Sequence, residues 1–259
     1  MQVNTIMSKD IVTVTPEDTV TKLRSIMRKY GYRALPVVKD NKVEGIVSRG
    51  DIMRITSTKS DVEVRGVMNS NVITANQDED IFSVARKMHK NGVRQVVIVN
   101  AENMPVGMVS SVDIMGAFVE NDYEPVKKNL DDIMTSDVMY SDIDDSISGI
   151  LDKMSASGFS GFPVVKKERG INKVIGFVTR GDILKRGSLR ISRESGKVKD
   201  ISISKIMNPL LISVNRNKNV KEVARIMMEK RIIRVPITND RGELVGIVDS
   251  SDVIGAYLG

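Results

Sequence analysis

The sequence predicts an α/β fold built from four copies of one unit, strand–helix–strand–strand–helix. Three observations carry this. First, a glycine phrase recurs as Gly45-Ile46-Val47-Ser48-Arg49-Gly50-Asp51, Gly107-Met108-Val109-Ser110-Ser111-Val112-Asp113, Gly176-Phe177-Val178-Thr179-Arg180-Gly181-Asp182 and Gly246-Ile247-Val248-Asp249-Ser250-Ser251-Asp252, its last Asp returning after 62 to 70 residues. A period of that size marks a repeat protein. Second, an apolar-Met pair opens each copy: Ile6-Met7, Val67-Met68, Ile133-Met134 and Ile206-Met207. Third, apolar strands such as Ala34-Leu35-Pro36-Val37-Val38, Phe162-Pro163-Val164-Val165 and Val235-Pro236-Ile237 precede the phrase.

Within a copy, the apolar-Met pair leads to a short strand, Asp10 to Val14 in the first. A helix start follows, where Thr15-Pro16-Glu17-Asp18 offers a hydroxyl N-cap, Pro at N1 and an acid at N3. Asn76-Gln77-Asp78-Glu79 and Asp142-Ile143-Asp144-Asp145 repeat this logic, and Asn215-Arg216-Asn217-Lys218 keeps only the cap. Val20, Leu23, Met27 and Tyr30 lie at helical spacing. Gly31, Gly92 and Gly158 stop the helix, with Lys230-Arg231 in their place in the fourth copy. A buried strand, a polar turn such as Asp40-Asn41 or Asn239-Asp240-Arg241-Gly242, and a second strand then reach the glycine phrase. There a second helix begins with Asp51, Asp113, Asp182 or Asp252. Met27, Met88, Met154, Met227 and Met228 fall on the first helices and are expected to be ordinary core. The expected repeats are 1–56, 62–120, 127–187 and 201–259.

At 259 residues, 41% hydrophobic and 28% charged, the chain can bury a sizeable core. It has no cysteine, which excludes disulfides and thiolate metal sites. Its one histidine, His89, beside Lys90-Asn91-Gly92, is expected to be exposed or to cap a helix. No apolar run approaches membrane-spanning length and the N-terminus lacks a signal-peptide core, so the expected location is the cytoplasm. The net charge of +6 favours anionic partners in general. Aromatic residues make up 4% and tryptophan is absent, which disfavours a base-stacking platform for single-stranded nucleic acid.

The four copies, taken together and in one order, resemble CBS domains over essentially the whole chain. Such repeats pair into Bateman modules, which implies modules of 1–120 and 127–259. Four repeats with no attached catalytic domain are similar to the nucleotide-sensing gamma subunit of AMP-activated protein kinase and its archaeal-type relatives. The resemblance implies two modules assembled head-to-head into a flat disc, with AMP, ADP or ATP in clefts between paired repeats. It implies no required cofactor and no catalysis. The regulated protein target is unidentified, and a homodimer is an open alternative.

The phrase suits such a ligand. A hydroxyl at a helix N-terminus can donate to phosphate. The Asp one turn on can accept from two ribose hydroxyls, and the glycine lets backbone approach a ligand. The same Ser-x-x-Asp is also a capping box. Capping predicts four equivalent copies. Ligand binding predicts that the Asp252 cleft is empty or different, because Asp249 would repel a phosphate. By the family's cross-repeat rule, the first-ranked site is Thr179, Arg180 and Asp182 facing Ile212 and Arg234. The second is Ser48, Arg49 and Asp51 with Ile73, Arg94 and Gln95. The third is Ser110 and Asp113 with Val12, Arg33 and Ala34, and the fourth is Asp252 with Met139, Ser160 and Gly161. Two alternatives remain. One is nucleic-acid binding through the basic stretch Lys185, Arg186, Arg190, Arg193, Lys197 and Lys199, for which a solvated linker is the simpler account. The other is S-adenosylmethionine or methylthioadenosine, which lack the phosphate that Arg180 and Arg234 would meet.

Overall fold

A computed structural model describes residues 1–53, 62–185, 201–209 and 212–259. The first repeat holds α1 (Val20–Tyr30), β1 (Ala34–Lys39), β2 (Lys42–Ser48) and α2 (Arg49–Met53). The second holds β3 (Thr74–Asn76), α3 (Ile81–Asn91), β4 (Gln95–Val99), β5 (Pro105–Ser110) and α4 (Ser111–Glu120). The third holds β6 (Ser141–Asp142), α5 (Ile147–Ser157), β7 (Gly161–Glu168), β8 (Ile171–Thr179) and α6 (Arg180–Lys185). The fourth holds β9 (Val214–Asn215), α7 (Val220–Glu229), β10 (Arg234–Thr238), β11 (Leu244–Asp249) and α8 (Ser250–Leu258). The order is the expected one in the second, third and fourth repeats, and the first lacks the opening strand. The joint at 57–61 and the basic residues Arg186, Arg190, Arg193, Lys197 and Lys199 lie outside the described residues. No helix among the described residues is long and apolar enough to cross a membrane.

The strands and turns follow from local chemistry. Each apolar strand pairs antiparallel with the strand that ends in the glycine phrase. The opening strand pairs parallel to it in three repeats. In the first repeat the expected strand Asp10 to Val14 is reduced to a single parallel bridge, Val14 to Val37. Asp40 and Asn41, at φ 49° and 62°, make the two-residue turn between β1 and β2, which short polar side chains tolerate in the left-handed region.

The helix starts differ from expectation. The caps are Thr19, Asp80, Ser146 and Asn219, each four residues after Thr15, Asn76, Asp142 and Asn215. The earlier residues instead close a turn. Asp18 accepts from Thr15 N at 2.9 Å, and the side chains of Asn76, Asp142 and Asn215 accept from the backbone two residues on. A side-chain oxygen receiving nearby N–H groups serves a turn and a cap equally well, so the pattern identified the motif but not its position. The helix ends are as expected. Gly31, Gly92 and Gly158 are left-handed C-caps, and Arg231 takes φ 50° at the matching place in the fourth repeat.

Each repeat opens with a short 3-10 turn whose first residue is fully buried: Val3, Val64, Leu130 or Ile203. These turns are exchanged within modules. Val3 N donates to Glu79 O and Val64 N to Asp18 O. Ile203 N donates to Asp145 O, and Val220 N to Lys128 O beside Leu130. Val64 therefore completes the core of repeat 1, and Ile203 that of repeat 3. The packing units thus trade their first residues across the sequence repeats.

The Met of each opening pair locks the exchange. It lies against the phrase glycine of the partner repeat. A Cβ on Gly45 would come within 2.7 Å of Met68 Sδ, on Gly107 within 2.6 Å of Met7 Sδ, on Gly176 within 2.9 Å of Met207 Sδ, and on Gly246 within 2.6 Å of Met134 Sδ. Backbone bridges flank each socket, such as Ser8 to Met108 and Ile46 to Asn69. The glycines were expected to admit a ligand; they admit a methionine instead.

The two modules meet through two unlike contacts. α4 packs on α7 and α8, and α3 on α8, so repeats 2 and 4 share one continuous core. The Phe118 and Tyr257 rings stack across it at 4.7 Å. Repeats 1 and 3 keep separate cores and touch through α2 and α6.

Candidate functional site

Between the modules lies a cavity of about 630 Å³, lined by all four repeats. It gathers the whole of the second-ranked set, Ser48, Arg49, Asp51, Ile73, Arg94 and Gln95, and the whole of the first, Thr179, Arg180, Asp182, Ile212 and Arg234. The third set is divided. Arg33 and Ala34 line the cavity, but Ser110, Asp113 and Val12 do not. The fourth contributes Ser160 alone, while Asp252, Met139 and Gly161 stay off its wall. Asn69, Asn71, Phe177 and Asn208 also line it and were not anticipated. Each follows a Met socket or sits within the phrase, so the repeat pattern marked the region but not its cavity-facing side.

The capping box forms at the phrase. Ser48, Ser110 and Thr179 donate their hydroxyls to Asp51, Asp113 and Asp182 Oδ2 at 2.6 Å. The same oxygens accept the backbone N–H of those residues at 2.8, 2.8 and 2.9 Å. In repeat 4, Asp249 N donates to Asp252 Oδ2 at 2.7 Å, and Asp249 Oδ1 caps Ser251 N and Asp252 N. Asp182 lines the cavity, and Arg49 of the other module is drawn to its charge.

The arginines of the phrase have a structural task. Arg49 Nε donates to Tyr32 O at 2.7 Å and its Nη2 to Gly31 O, at the C-terminus of α1. Arg180 Nη2 donates to Met154 O at 2.8 Å and Phe159 O at 3.2 Å, at the C-terminus of α5. Cations there satisfy the last carbonyls and offset the helix dipole. Each also crosses the module contact. Arg49 Nη1 lies beside Gly181, and Arg180 Nη1 beside Gly50. In repeats 2 and 4 the matching positions are Ser111 and Ser250, both buried in the joint core. Arg therefore stands where the modules meet through polar surface, and Ser where they share a core.

Arg33, Arg94 and Arg234 complete a basic wall. Arg33 Nη2 donates to Arg231 O of the other module at 3.3 Å. Burial lowers the pKa of its guanidinium, and Arg49, Arg94 and Arg231 add like-charge repulsion. Arg234 Nη1 donates to Ser160 Oγ at 3.0 Å and the guanidinium sits 5.8 Å from the Phe159 ring centre. Burial, with Arg94 next, pushes Arg234 down to about 10, against the opposing pull of Asp249 and Asp252. Arg94 Nη2 meets Asp249 Oδ2 at 2.6 Å, joining repeat 2 to repeat 4. Arg94 Nε is buried with no hydrogen-bond partner among the described residues. Burial and the Asp249 charge push Asp252 up to about 6. His89 is exposed, as expected, and its Nδ1 lies 3.1 Å from Ser251 O. It lies in the module contact, against Ser251 and Gly255.

A family model described as the CBS domain matches residues 3–57, 64–120, 130–188 and 198–259. The chain belongs to the CBS-domain family. Among relatives, it is 28% identical to the uncharacterized protein MJ1225 of Methanocaldococcus jannaschii, covering 95% of both chains. It is 32% identical to MJ1404 of the same organism, covering 97% of this chain and 61% of that one. The crystal structure of MJ1225, described as a candidate archaeal homolog of γ-AMPK, superposes with a TM-score of 0.84 at 25% identity, covering 98% and 99% of the two chains. An uncharacterized conserved protein from Pyrococcus horikoshii shares the fold, with a TM-score of 0.68 at 23% identity over 98% of this chain and 99% of that chain. The CBS repeats account for the arrangement of the cavity: two phrases and two partner edges face one space.

Proposed function

We propose that this CBS-domain protein is a regulatory sensor of adenine nucleotides, with no chemistry of its own. AMP, ADP or ATP would bind in the central cavity between paired repeats. Occupancy would then favour one arrangement of the modules, which a protein target senses. The observation that carries this reading is the basic wall. Arg33, Arg94, Arg180 and Arg234 border one cavity of about 630 Å³ together with Asp51 and Asp182. Guanidinium groups crowded at one cavity wall, three of them half-buried and Arg33 exposed, favour an anion, which would relieve their repulsion. The two carboxylates suit ribose hydroxyls, and Ile73 and Ile212 offer apolar surface for a base. S-adenosylmethionine or methylthioadenosine would place no phosphate against the arginines.

Titration calorimetry and thermal melting with AMP, ADP and ATP test the proposal. A bound nucleotide at a hundred times its Kd should stabilise the fold by about 2.7 kcal/mol. Asp182→Ala and Arg234→Ala should each remove most of the binding at one site. No heat and no melting shift with any of the three at millimolar concentration would refute the sensor.

A further inference from the structure

Asp249 differs in kind from its counterparts Ser48, Ser110 and Thr179. Its two oxygens have separate tasks. Oδ1 caps α8 through Ser251 N at 2.7 Å and Asp252 N at 3.3 Å. Oδ2 lies 2.6 Å from Arg94 Nη2, with the two side chains 22% and 33% exposed. A serine or threonine would cap as well but would present no charge to Arg94. Burial alone would raise the carboxyl, but Arg94 and the backbone N–H of Ser251 hold it below the ordinary range, so it is ionised at neutral pH. Arg94, which belongs to the other module, lines the cavity, while Asp249 does not. A phosphate that reaches Arg94 therefore meets a carboxylate already seated there.

We propose that Asp249 is a built-in competitor for ligand phosphate: it neutralises Arg94 across the module contact until a phosphate takes its place. This rests on the nucleotide reading and deepens it. Two consequences follow from the geometry. The exchange leaves the cap on α8 intact, because only Oδ2 is released. It also ties phosphate arrival to loss of an ion pair between repeats 2 and 4, so the number of ligand charges, and not the nucleoside, sets the response.

The test compares wild type with Asp249→Asn and Asp249→Ser, both of which keep a capping side chain. Calorimetry is run with adenosine, AMP, ATP and inorganic tripolyphosphate. ATP and tripolyphosphate should bind about tenfold tighter to both variants, as expected for removing one carboxylate in contact with the guanidinium. Adenosine should be unchanged, and the gain should vanish when Arg94→Gln is added. A merely structural role for Asp249 would move all ligands together. Equal ATP affinity in wild type and Asp249→Asn, or an equal gain for adenosine, overturns the competitor while leaving the sensor in place. If wild type binds no nucleotide but Asp249→Asn gains tripolyphosphate binding that Arg94→Gln abolishes, the competitor stands and the sensor fails. Absence of anion binding in every variant overturns both.

Discussion

Asp252 shows how one copy of a repeated residue acquires its own chemistry. It occupies the same place as Asp51, Asp113 and Asp182, but only here is the residue three before it an acid. Burial and Asp249 push its pKa from 3.8 to about 6, against Arg94, His89 and the backbone N–H of Asp249. The folded state thus holds this proton more tightly than the unfolded chain. Its stabilising contribution is complete below about pH 3.8 and lost as pH rises through about 6. Asp249 acts in the opposite sense, its lowered pKa giving stability that is lost only as pH falls below the ordinary carboxyl range. Asp252→Asn retains an oxygen for the Asp249 N–H and removes the titration. Denaturant unfolding from pH 4 to 7 should show a flatter profile for that variant, and an identical slope would mean Asp252 titrates normally. Arg49 and Arg180 teach a related lesson. Their place beside the phrase was evident in the sequence, but the carbonyls they reach, Tyr32 and Met154, lie 17 and 26 residues away, and only the folded chain brings them near.

At the scale of elements, the opening turn and the glycine phrase form one device. Met7 of repeat 1 fits against Gly107 of repeat 2, and Met68 returns the contact on Gly45. Gly107→Ala would place a Cβ 2.6 Å from Met7 Sδ and 2.9 Å from the Ser8 carbonyl oxygen, which is backbone and cannot swing away. Overpacking of this kind costs roughly 1–3 kcal/mol. Gly66→Ala, with nothing within 4 Å, is the control and should be close to neutral. Urea unfolding of the two variants decides it, and equal stabilities would remove the socket. Both halves of the device were visible as recurring motifs. Their mutual contact was not, because it joins positions about a hundred residues apart in one direction and about twenty in the other. The caps show the complementary case. Thr19 lies within the segment expected to be helix, and the turn at Thr15 had the same hydrogen-bonding logic.

At the scale of the molecule, the pairing of modules is unequal. Repeats 2 and 4 share a core in which Phe118 is fully buried and stacks on Tyr257. Repeats 1 and 3 each close their own core, and Arg49 and Arg180 cross between them. Phe118→Ala should cost roughly 3–5 kcal/mol and lower hydrogen-exchange protection in α4 and α8 together. Leu23→Ala, also fully buried, should lower protection mainly within repeat 1. Loss confined to α4 in the first variant would show that the two modules do not share a cooperative core.

By itself the sequence determined the unit, its order and its fourfold recurrence, because these rest on hydrophobic spacing, glycine stops and short turns within a few residues. It also marked which positions carry acid, hydroxyl and arginine. Tertiary structure decided what those groups meet. It divided the third candidate set by turning Arg33 towards Arg231 while Ser110 and Asp113 stayed in their cap. It set Asp249 on Arg94, and it filled the space beside the phrase glycines with methionine. The reason is physical. A capping pattern satisfies its own backbone wherever it occurs, whereas an ion pair, a socket or a cavity requires two distant segments to arrive at the same place.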